Sequence, residues 1–140
     1  MKTYTYELMV TIGDTNMEGN VYWVRFLEWF GKAREMFLVS LLPDVSMPEF
    51  LMEKNILIVT CDVELKFLKS GYFTDQVRLE IIAEKIENCS VTLAFKNINK
   101  KTGEILNQGK QKLAFVDMTT GRPVRVPAEL KEKVREYLQE

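Results

Sequence analysis

Between residues 22 and 41 the apolar side chains Trp23, Phe26, Leu27, Phe30, Ala33, Phe37, Leu38 and Leu41 recur at steps of three and four. That spacing predicts one long helix with an apolar stripe, ended by Pro43. Such a helix owes most of its stability to what covers its apolar face, so the rest of the chain must supply the cover. The rest is strand-like. Residues 59–67 alternate strictly, with Val59, Cys61, Val63, Leu65 and Phe67 on one face and Thr60, Asp62, Glu64 and Lys66 on the other, which predicts one buried face and one wet face. Val77, Leu79, Ile81 and Ala83 alternate with Arg78, Glu80, Ile82 and Glu84 in the same way, as do Val91, Leu93 and Phe95 with Thr92, Ala94 and Lys96. A polar turn at 99–103 leads into a further strand over 105–117, closed by Thr119, Thr120, Gly121, Arg122 and Pro123. Upstream, residues 3–12 are rich in Tyr, Thr, Val and Ile and read as a first strand that stops at Gly13.

Two short helices complete the pattern. One covers 47–55, with Ser46 as N-cap and Pro48 in the first turn. The other covers 127–140, with Leu130, Val134 and Leu138 at four-residue spacing. The order is strand, long helix, then four strands with tight polar connections, and no linker or repeat divides residues 1–140. The fold class is therefore α+β, with an antiparallel sheet that buries one unusually apolar helix. A sheet wrapped around the helix meets that requirement, and so does a helix lying on one face of an ordinary sheet. With 140 residues, folding buries roughly 68–70% of the surface that the unfolded chain exposes, so no metal or disulfide is needed as a staple.

Composition narrows the chemistry. Nineteen basic against twenty acidic residues leave a formal net charge of −1, and no segment concentrates Lys and Arg, so a nucleic-acid partner is not expected. The first residues lack the apolar run of a signal peptide, and no apolar stretch approaches the roughly 18 residues that span a bilayer. The expectation is a cytoplasmic protein with no membrane partner. Cys61 and Cys89 stand far apart in a chain with no histidine, too few ligands for a zinc site, and both read as reduced core residues. The lack of histidine excludes every Ser-His or Cys-His nucleophile. Hydrolysis by this chain has to use carboxylates, amides, backbone donors or arginine.

Two features carry candidate chemistry. The polar loop from Gly13 through Asp14, Asn16, Glu18, Gly19 and Asn20 runs directly onto the start of the long helix. The free N–H groups and positive dipole end at such a junction can stabilise an oxyanion, although an ordinary helix entry looks the same. The second feature is Arg34, which the helical spacing places near the centre of a stripe formed by Leu27, Phe30, Phe37 and Leu38. A guanidinium there is costly unless it is paired, hydrogen-bonded or opened to a wet pocket. An ion pair with Asp14 or Glu18, or snorkelling to the helix edge, would meet that cost without any catalytic role.

The run from Asp14 to Trp29 (Asp-Thr-Asn-Met-Glu-Gly-Asn-Val-Tyr-Trp-Val-Arg-Phe-Leu-Glu-Trp), followed by Gly-Lys-Ala-Arg-Glu-Met-Phe-Leu over 31–38, resembles the 4-hydroxybenzoyl-CoA thioesterase branch of hot-dog proteins. Its Thr-Asn pair, Gly-Asn-Val-Tyr step and Arg-Glu-Met-Phe-Leu ending are most similar to thioesterases that accompany iterative polyketide synthases of the enediyne type. The resemblance implies a hot-dog fold, the sheet wrapped around the long helix. It also implies an acyl thioester hydrolase that releases a long polyene or β-ketoacyl chain from an acyl carrier domain as a free acid able to decarboxylate. In the broader family a carboxylate stands where this chain has Asn16, and an amide is neither a carboxylate nucleophile nor a base near neutral pH. By resemblance, Asn16 and Arg34 act by orienting water and substrate and stabilising the oxyanion. The backbone N–H groups of Trp23, Val24, Arg25 and Phe26 are further donors, and Phe26 stands where relatives often carry Tyr. Asp14 and Glu18 remain possible acids, or in the case of Asp14 a loop cap. Phe30, Phe37 and Met47 read either as walls of an acyl channel or as core. No metal or cofactor is implied. A homo-oligomer is, either a dimer with paired sheets and sites near its interface or a dimer of dimers. A general acyl-CoA thioesterase and a non-catalytic acyl-binding protein are the rival readings.

Overall fold

Apolar residues at period two on the strands and at 3.6 on the helix have to meet on one surface, and in the computed structural model, which describes residues 1–139, they do. Strands β1 (Tyr4–Met9), β2 (Ile56–Phe67), β3 (Gln76–Ile86), β4 (Ser90–Asn99) and β5 (Ile105–Asp117) form one sheet in the order β1-β3-β4-β5-β2. Every neighbouring pair is antiparallel. Helix α1 (Trp23–Leu41) lies across the inner face, α2 (Met47–Glu53) leads into β2, and α3 (Ala128–Arg135) closes one end. The chain after α3 adds to β3 at Ala83, whose N–H donates to Tyr137 O and whose carbonyl accepts from Gln139 N, both at 2.9 Å. Glu140, the last residue of the expected C-terminal helix, lies outside the described residues.

The face that α1 buries consists of Phe26, Trp29, Phe30, Ala33, Phe37 and Leu41. Phe30 stacks on Phe95 of β4 with ring centroids 4.4 Å apart, and Phe37 is held between Tyr4 at 5.5 Å and Tyr137 at 4.9 Å. Opposite them lie Val77, Leu79, Ile81 and Ala83 of β3, Val91 and Leu93 of β4, and Leu113 and Phe115 of β5, all buried as their alternation requires. Each large side chain so buried contributes about 1.5–3 kcal/mol. This is the hot-dog arrangement.

Four expectations need correction. The first strand ends at Met9, because Val10 turns to bond Asp75 and Thr74 and Ile12–Asp14 form a 3₁₀ turn. The buried stripe of α1 centres on Phe30, Ala33 and Phe37, so Arg34 stands on its flank, partly buried, and not at its centre. β2 does not bury one clean face: it is an edge strand with a bulge at Cys61, where Thr60 pairs with Leu113 and Asp62 with Lys112. An extra residue exchanges the two faces. Thr60 therefore turns inward with Val63, Leu65 and Phe67, while Cys61 is exposed with its Sγ 3.5 Å from Lys112 O. Cys89 is only partly buried, so neither cysteine is a core residue, and both are free thiols.

Gly109 of β5 pairs with Leu65, and a methyl group there would run into the carbonyl oxygen of Glu64. Backbone cannot step aside as a side chain can. Gly109→Ala is expected to lower stability by at least about 2 kcal/mol, measured by urea denaturation, whereas Gly31→Ala, which meets nothing within 4 Å, is expected to be neutral or stabilising.

Candidate active site at the entry to the central helix

The loop before α1 is fastened by its own polar residues. Asp14 Oδ2 accepts from Thr11 N and Thr11 Oγ1, both at 2.8 Å, and the Asp14 carbonyl accepts from Tyr22 N at 2.8 Å. The Asp14 carboxylate is thus engaged in capping the 3₁₀ turn. Asn16 organises the tip: its N–H donates to Asn20 O at 2.8 Å, its carbonyl accepts from Gly19 N at 3.0 Å, and Oδ1 accepts from Glu18 N at 2.9 Å. The side-chain NH₂ of Asn16 is left as a donor at an exposed loop. Gly19, with φ of +87°, supplies the left-handed residue that this tight tip needs. Glu18 is exposed. Val21 N donates to Gly71 O at 2.8 Å, tying the loop to the segment between β2 and β3.

α1 then begins without a side-chain cap, since Tyr22 holds the N-cap position and makes no cap bond. Among the described residues the N–H groups of Trp23 and Val24 have no partner, whereas Arg25 N bonds Tyr22 O at 2.9 Å. These two donors and the dipole of a long helix form a region that favours developing negative charge. Beside it opens a cavity of about 300 Å³ lined by Asn20, Trp23, Phe26, Phe67, Leu68 and Lys69, among others. The rings of Phe26 and Phe67 meet edge-on at 6.2 Å across it. On its rim Lys69 pairs with Glu104 at 2.5 Å. The hydrogen bond and charge of Glu104 raise the Lys69 pKa, and those of Lys69 lower that of Glu104. Both side chains are exposed, so solvent screens the pair.

Arg34 stands further along α1, roughly 16 Å from Trp23 at 1.5 Å rise per residue. Its Nη1 donates to Thr60 Oγ1 at 2.7 Å and lies 3.4 Å from Gln111 Oε1. No carboxylate lies within ion-pair distance of it among the described residues, so neither Asp14 nor Glu18 neutralises it. Two neutral oxygens orient the guanidinium and leave its charge uncompensated. Asn16 and Arg34, the pair that the sequence singled out, therefore do not share hydrogen-bond partners within one chain. Phe30, Phe37 and Met47 are packed in the core and do not line the cavity, whose aromatic walls are Trp23, Phe26 and Phe67. Among the described residues no group of three or more His, Cys, Asp and Glu is placed to hold a metal, and no helix is long and apolar enough to cross a membrane.

Sequence reasoning missed Thr60 and Gln111. Gln111 carried a usable signal, because it falls on the same alternation face as Leu113 and Phe115 and is 5% exposed. Thr60 carried none: strict alternation assigns it to the wet face, and only the bulge brings it inward.

The model of a family described as the thioesterase-like superfamily matches residues 10–134. An acyl-CoA thioesterase, YbgC, of Haemophilus influenzae is 23% identical over 128 residues, covering 91% of each chain. A crystal structure of the dynemicin thioesterase, from work on polyene binding, superimposes with a TM-score of 0.88 at 28% identity, covering 99% of both chains. A 1,4-dihydroxy-2-naphthoyl-CoA thioesterase from Synechocystis gives 0.87 at 16% identity over 96% of this chain and 97% of that one, a likeness of fold.

A partly buried cation without a counter-ion is a burden on folding. Arg34→Met, which keeps the length and removes the charge, is expected to leave stability unchanged or raise it by up to about 1 kcal/mol, read from denaturation midpoints at equal m-value.

Proposed function

The chain belongs to the thioesterase-like superfamily, and from that premise we propose that it hydrolyses a long polyene or β-ketoacyl thioester held on the acyl carrier domain of a cytoplasmic iterative polyketide synthase. The product is a free acid, and a β-keto acid so released loses CO₂. The observation that carries the reading is Arg34, a cation oriented by Thr60 and Gln111 and left without a carboxylate partner. A guanidinium held in place by two neutral oxygens and left without a carboxylate is available to an oxyanion. Water attacks the thioester carbonyl while the guanidinium of one copy and the free N–H groups at the start of α1 of the other stabilise the oxyanion and the Asn16 amide orients water or substrate. The intermediate collapses with cleavage of the C–S bond, and the departing thiolate takes up the proton that the water gives up. A single well-placed donor is worth about 2.7–4 kcal/mol of barrier, and the thioester is already an activated acyl group. Acid-base work by a side chain is replaced by positioning and electrostatics.

Asn16 and Arg34 meet in one site if the site is shared between two copies. β2 supports this: it is the edge of the sheet, and its inward Val63 and Phe67 and outward Leu57 are about half exposed. Pairing two β2 edges would cover these side chains and continue the sheet. Back-to-back association of two such dimers would give a tetramer. The rival reading, a general acyl-CoA thioesterase, draws support from the relative of that description, and differs by the carrier preferred.

Single-turnover hydrolysis of β-ketoacyl and polyenoyl thioesters, on carrier protein and on CoA, tests the mechanism. Asn16→Ala and Arg34→Ala are each expected to slow hydrolysis tenfold or more, about 1.4 kcal/mol of barrier, with Asp14→Asn and Glu18→Gln mild. Loss of turnover in either acid variant would mean general-base catalysis and a wrong assignment. No wild-type turnover on either carrier would leave an acyl-binding protein. A one-to-one mixture of the Asn16→Ala and Arg34→Ala proteins, allowed to exchange subunits, is expected to recover about a quarter of wild-type activity, because half the dimers then hold one intact shared site of two. Recovery of nothing would place both residues of each site in one chain.

A further inference from the structure

The inner face of the sheet should be apolar where α1 covers it, yet Asn97 of β4 and Asn107 of β5 lie there, both 0% exposed. They are register partners, and Asn97 Nδ2 donates to Asn107 Oδ1 at 2.8 Å. That bond engages one polar atom of each amide. Asn97 Oδ1 and Asn107 Nδ2 are buried without a partner. Turning both amides over exchanges the atoms but leaves the same remainder, one acceptor and one donor. Neighbouring positions on the same face, Leu93, Phe95 and Leu113, show that this surface packs well without polar groups. A trapped water would find only two partners in the pair, at the low end of what buried waters have. A hydrocarbon chain would satisfy neither atom.

The pair lies beside the candidate site. Asn107 is the register partner of Phe67 as well as of Asn97, so Phe67, Asn107 and Asn97 form one row running inward from the sheet edge. Phe67 and Phe26 are the aromatic walls of the cavity at the start of α1, and Asn107, which does not itself line the cavity, is the cross-strand neighbour of Phe67. We infer that the Asn97–Asn107 pair recognises a hydroxyl or enol oxygen carried on the acyl group, since one such group both donates and accepts and so satisfies both orphaned atoms. This inference rests on the acyl-thioesterase reading and sharpens it, because it makes an oxygenated acyl group the preferred substrate and an all-hydrocarbon chain a poor one. A site built to hydrogen-bond a hydroxyl discriminates strongly against the analogue that lacks it.

The test uses acyl chains of one length carrying a hydroxyl at successive carbons, beside the unsubstituted chain, as CoA thioesters for turnover and as non-hydrolysable CoA thioethers for calorimetry. Wild type is expected to bind one positional isomer at least tenfold more tightly than the unsubstituted chain. Asn97→Leu/Asn107→Leu, checked for folding by thermal melting, is expected to lose that preference with its binding of the unsubstituted chain unchanged or tighter. If the double variant does not fold, Asn107→Ala, which removes the orphaned donor together with the Oδ1 that accepts from Asn97 Nδ2, is expected to lose most of the preference. The inference falls if no isomer is preferred, or if the variants weaken all chains equally, the result for a purely structural or water-filled pair. Positional preference among the thioethers without thioester turnover would overturn the hydrolase reading and keep the amide pair. Turnover without preference would do the reverse.

Discussion

The structure depends on the burial of one aromatic helix face. Phe26, Phe30 and Phe37, with Ala33 between them, lie on the inner surface of five antiparallel strands, and the Phe30–Phe95 stack is the closest aromatic contact in the core. A helix this apolar cannot remain in water, and a sheet with one apolar face cannot either, so each completes the other. Because one face of the helix is buried along its length, the N-terminal end and the flank of that face become the places where polar chemistry can sit beside the core. The loop over 13–22 delivers the first, and the partly buried Arg34 occupies the second.

The edge strand decides how that flank is used. A regular β2 would point Cys61 toward the helix and Thr60 toward water. The bulge at Cys61 reverses this, and Thr60 then receives the Arg34 guanidinium at 2.7 Å with Gln111 close by. One irregular residue converts a costly cation into an oriented one. The same strand, having only β5 as neighbour, leaves Val63 and Phe67 half exposed.

The inner face has more polar character than packing alone explains. Gln111, Asn97 and Asn107 are all at or below 5% exposure, and each stands on a strand whose neighbouring inward residues are apolar. Gln111 is accounted for by Arg34. The two asparagines are accounted for only in part by each other. Buried amides are expensive in a low-dielectric interior unless fully partnered, and Asn97 and Asn107 stand in one row with Phe67 of the edge strand.

Sequence by itself determined most of the elements: the long helix over 22–41, the alternation of Val77 to Ala83 and of Val91 to Phe95, the N-cap at Ser46 and the break at Pro43 all correspond to observed structure. These signals are local, set by side-chain period and backbone preference within a few residues, and so they can be read without neighbours. It also excluded histidine-based chemistry and singled out Arg34 by its spacing, while Asn16 entered through the family resemblance. What only the tertiary structure decided is which strand lies at the edge, which face a bulged strand presents, and what surrounds each polar group. Strand order is a long-range choice, and a single inserted residue exchanges faces without altering composition. For that reason Thr60 and Cys61 were assigned to the wrong sides, Arg34 moved from the centre of its stripe to the flank, and Phe30, Phe37 and Met47 became core while Phe67 came to wall the cavity. Burial is a property of what packs against a residue, and a linear chain does not contain that until it has folded.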